Sequence, residues 1–60
     1  MKDVLNQLEK LRAQAAECEL ISNLATQPMK RDLFARLAAH FQVLAAEVER
    51  ALAAERQAIN

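Results

Sequence analysis

The sequence predicts an all-α protein: an antiparallel two-helix hairpin that oligomerises, with a dimeric four-helix bundle as the favoured assembly. Three observations carry this. The 60 residues contain no glycine and a single proline, and good helix formers dominate while strand-forming β-branched and aromatic residues are few. Apolar residues recur at alternating spacings of three and four on either side of that proline, the mark of amphipathic helices. A chain this short buries only about 60% of its unfolded surface, so its core is marginal without disulfides, metal or self-association. Cys18 is the only cysteine and His40 the only histidine, which removes the first two supports and leaves the third.

Helix 1 is expected from about Asp3 to Ala25. It carries Val4, Leu8, Leu11, Ala15 and Cys18 on one line, with Leu5 beside it. Its last turns differ, because Leu20, Ile21 and Leu24 point in several directions around the axis. An end that is apolar on more than one side is covered from more than one side, which a single partner helix cannot do.

The turn is expected at residues 26–27. Pro28 lacks an N–H and would clash inside a helix, but it suits a first helical turn, with Thr26 or Gln27 as the cap. A link this short folds the helices back antiparallel.

Helix 2 is expected from about Pro28 to Gln57. Phe34, Leu37, Phe41, Leu44, Val48 and Ala51 form its seam, widened by Ala38, Ala45 and Leu52. Asp32 and Arg36 stand four apart in the favourable orientation for an ion pair worth a few tenths of a kcal/mol. Pairing back from the turn brings Met1 to the neighbourhood of Leu52, so residues 53–60 overhang, and Ile59 hints that the overhang packs on a second chain. Ala39, Ala46 and Ala53 fall seven apart on the opposite side. They read first as a solvated face built from the best helix former, and second as another close-approach line.

Few residues invite a chemical reading. His40 has no ligand-capable neighbour three or four positions away, so a boundary role is favoured over a metal site. Cys18 lies on the apolar line between Glu17 and Glu19, an environment that suits a small hydrophobe and not a nucleophile. Lys30, Arg31 and Arg36 are the one basic cluster. Asp32 interrupts it, no aromatic is placed to stack on bases, and eight basic residues balance eight acidic ones, so a solvated helix start is favoured over an anion or nucleic-acid contact. Phe34 and Phe41, one heptad apart, are core residues.

No stretch is long and apolar enough to span a bilayer, and the first residues lack the apolar run of a secretory signal. A lone thiol fits a reducing, cytoplasmic setting. One helical-hairpin domain is expected over residues 1–60; the chain could also be a stable piece of something larger, which opening on Met1 speaks mildly against.

The functional expectation is a non-enzymatic, cofactor-free interaction module. It associates with itself through Leu8, Leu11, Cys18, Ile21, Phe34, Leu37, Phe41, Leu44, Val48 and Leu52, and engages a protein partner. The alternative is a small RNA- or DNA-binding regulator, a hairpin dimer acting through Lys30, Arg31 and Arg36; nucleic acid is the less favoured partner. An enzyme or metal carrier ranks last.

Overall fold

The computed structural model describes the backbone of residues 2–59 and the side chains of residues 2–56. Two helices, α1 over Lys2–Leu24 and α2 over Pro28–Ile59, fold back on each other as an antiparallel hairpin. Helix α2 runs two residues beyond the expected Gln57, and α1 stops one residue before the expected Ala25. Met1 and the side chain of Ile59, both invoked above, lie outside the described residues. Within them, Leu5 and Leu8 are the α1 residues that reach Leu52.

The turn is three residues long, Ala25 to Gln27. The Ala25 N–H is shared between the carbonyls of Ile21, at 3.0 Å, and Ser22, at 3.2 Å, so the helical ladder tightens as it ends. Gln27 is the cap of α2: its carbonyl accepts the Arg31 N–H at 3.0 Å. Pro28 follows as the first helical residue, where its missing donor costs nothing. No described residue adopts positive φ, which agrees with a turn made without glycine.

Two further bonds tie the helices together across this turn. The Ser22 hydroxyl donates to the Arg31 carbonyl at 2.8 Å, and the Arg31 guanidinium donates to the Ala25 carbonyl at 3.1 Å. Arg31 thereby satisfies an acceptor that the end of α1 leaves open. Ser22 is the buried polar residue of the described chain, and its hydroxyl has a hydrogen-bond partner. Ser22→Ala is expected to cost about 1 kcal/mol, the net value of a neutral hydrogen bond. In a domain this small that lowers the melting temperature by about 4–8 °C, to be read by circular dichroism.

Burial is deepest along a line of small residues. Leu8, Ala15 and Ser22, seven apart on α1, face Ala38 and Ala45, seven apart on α2. Ala15 and Ala45 border one hollow between the helices, and Ser22 and Ala38 another. This corrects the expected seam of helix 2. The alanines that were to widen it form the contact, while Phe34, Leu37, Phe41 and Val48 are half-buried beside it and Leu44 and Ala51 are exposed. The reason is steric: two helices approach most closely where side chains are smallest, and bulky neighbours are then displaced to the flank. The Asp32–Arg36 pair is not formed either. Among the described residues the ion pair is Arg12–Glu49 at 2.7 Å, between the helices.

With 23 and 32 residues, the helices are about 35 and 48 Å long at 1.5 Å per residue. The Cα trace measures 50 × 15 × 11 Å, a slab one helix thick with two broad faces.

Candidate functional site

The two faces differ in chemistry. On one, a shallow groove between the helices is lined by Arg12, Glu19, Gln42 and Glu49 over a floor of Ala15 and Ala45. Its ion pair is about half exposed on both sides, which places its contribution between about 0 and 1 kcal/mol. Ala39 and Ala53 stand exposed and Ala46 half-buried where α2 borders this side.

The other face is apolar. Helix α1 gives it Leu11, Cys18 and Ile21, all half-buried, with Val4 at its end. Helix α2 gives it Phe34, Leu37, Phe41 and Val48, also half-buried, and Leu44, which is 45% exposed. Leu33, 48% exposed, extends it and was missed in the sequence reading, although it stands one helical turn before Leu37. No large side chain of the described chain is fully buried, and Leu8 alone among the large ones reaches the interior of the hairpin.

Of the ten predicted interface residues, then, Leu8 is spent inside the hairpin and Leu52 half-buried against the start of α1, while the other eight share the apolar face. At the turn end, Leu20, Leu24 and Met29 are 58%, 73% and 83% exposed, so the expected apolar end of α1 is open to solvent on more than one side.

The residues considered for other chemistry do not converge. Among the described residues no three His, Cys, Asp or Glu side chains gather as metal ligands. His40 is exposed on the outer edge of α2, beside Arg36, Val43 and Leu44. Cys18 is a free, half-buried thiol. Lys30, Arg31 and Arg36 are about 100–140° apart around the α2 axis at 100° per residue, so they share no face. Arg31, moreover, is engaged in closing the turn. No described helix is long and apolar enough to cross a membrane.

No family model, curated protein or solved structure matches the chain.

Proposed function

We propose that the chain is a non-enzymatic helical interaction module that works as a homodimer, two hairpins closing into a four-helix bundle through their apolar faces and leaving the polar faces and turn ends for a protein partner in the cytoplasm. The observation that carries this reading is that, among the described residues, no large side chain is fully buried while the apolar ones line one face of the hairpin. A hairpin left in that state forgoes most of the hydrophobic stabilisation its sequence offers.

Area supports the same reading. One copy exposes 4883 Å², whereas a compact monomer of 6.7 kDa exposes about 3,900 Å². Relative to two separate hairpins of 4883 Å² each, a compact particle of twice the mass, at about 6,500 Å², has up to about 3,300 Å² to bury. A standard stable interface needs about 1,600 Å².

Sedimentation equilibrium at micromolar concentration is the test. The reading expects twice the 6.7 kDa of one chain. A particle of 6.7 kDa that keeps its full helicity would remove it. The nucleic-acid reading gains nothing from the scattered placement of Lys30, Arg31 and Arg36, and a mobility-shift assay at low salt is expected to show no retarded species.

A further inference from the structure

We draw no further inference here: the strongest candidate, the apolar surface that exposed Leu20, Leu24 and Met29 form around the turn end, carries nothing because nothing in the structure shows what covers it.

Discussion

Phe41→Asp is expected to abolish self-association at micromolar concentration and to take most of the helicity with it. Phe41 sits at the middle of the apolar face, half-buried in one chain. A large apolar side chain is worth about 1.5–3 kcal/mol when its burial is completed, and a symmetric dimer counts it twice. Losing about 3–6 kcal/mol weakens association by about two to four orders of magnitude. Each aspartate also brings a carboxylate onto a surface that offers no partner for it, which adds a desolvation cost. Helicity follows because two marginal helices depend on tertiary burial for their stability. Phe41→Leu, closer in volume and still apolar, is expected to cost less than about 1.5 kcal/mol per site and to keep the dimer. Sedimentation velocity with far-ultraviolet circular dichroism reads both variants. If the aspartate variant kept its mass and helicity, the apolar face would not be the contact surface.

The second large effect concerns the contact inside the hairpin. Ala45 is 5% exposed and, with Ala15, lines the floor of the groove between the two helices. Ala45→Leu adds three carbons that fit only if the helices move apart. Overpacking of this kind costs about 1–3 kcal/mol, and here it also disturbs the Arg12–Glu49 pair one turn on. A fall in melting temperature of about 4–8 °C per kcal/mol is expected. Ala39→Leu is the matched control: Ala39 is exposed on the same helix, and its substitution is expected to stay within about 0.5 kcal/mol of the parent. Equal effects at the two positions would mean that the small-residue line does not set the helix spacing.

The helices and the turn were legible in the sequence because their signals are local. Pro28 has one comfortable place in a helix, and the structure puts it there, after Gln27 as cap. The apolar spacing of three and four then needs no tertiary information to be read as helix. What escaped was the choice among apolar lines on the same side of α2. Periodicity gives Phe34–Phe41–Val48 and Ala38–Ala45–Leu52 equal standing, and only the shape of the opposing helix decides which one touches it. Ala15 and Ser22 on α1 favour the alanines, leaving the larger residues on the flank. Arg31 escaped for a related reason. Read as part of a basic cluster, it proves to reach back six residues to the Ala25 carbonyl, a contact that depends on how the turn closes. The eight predicted residues on the apolar face were found by hydrophobicity alone, and Leu33 was lost because it lies just outside the ideal seam.

Folding and association are one event in this account, since neither helix nor hairpin has a sufficient core of its own. Thermal melts across a hundredfold range of chain concentration test that most directly. A dimer that unfolds to separate chains gains stability by mass action, so the midpoint should climb steadily with concentration. A cooperative melt whose midpoint stays fixed over the whole range would mean that one hairpin stands alone, and would contradict the account.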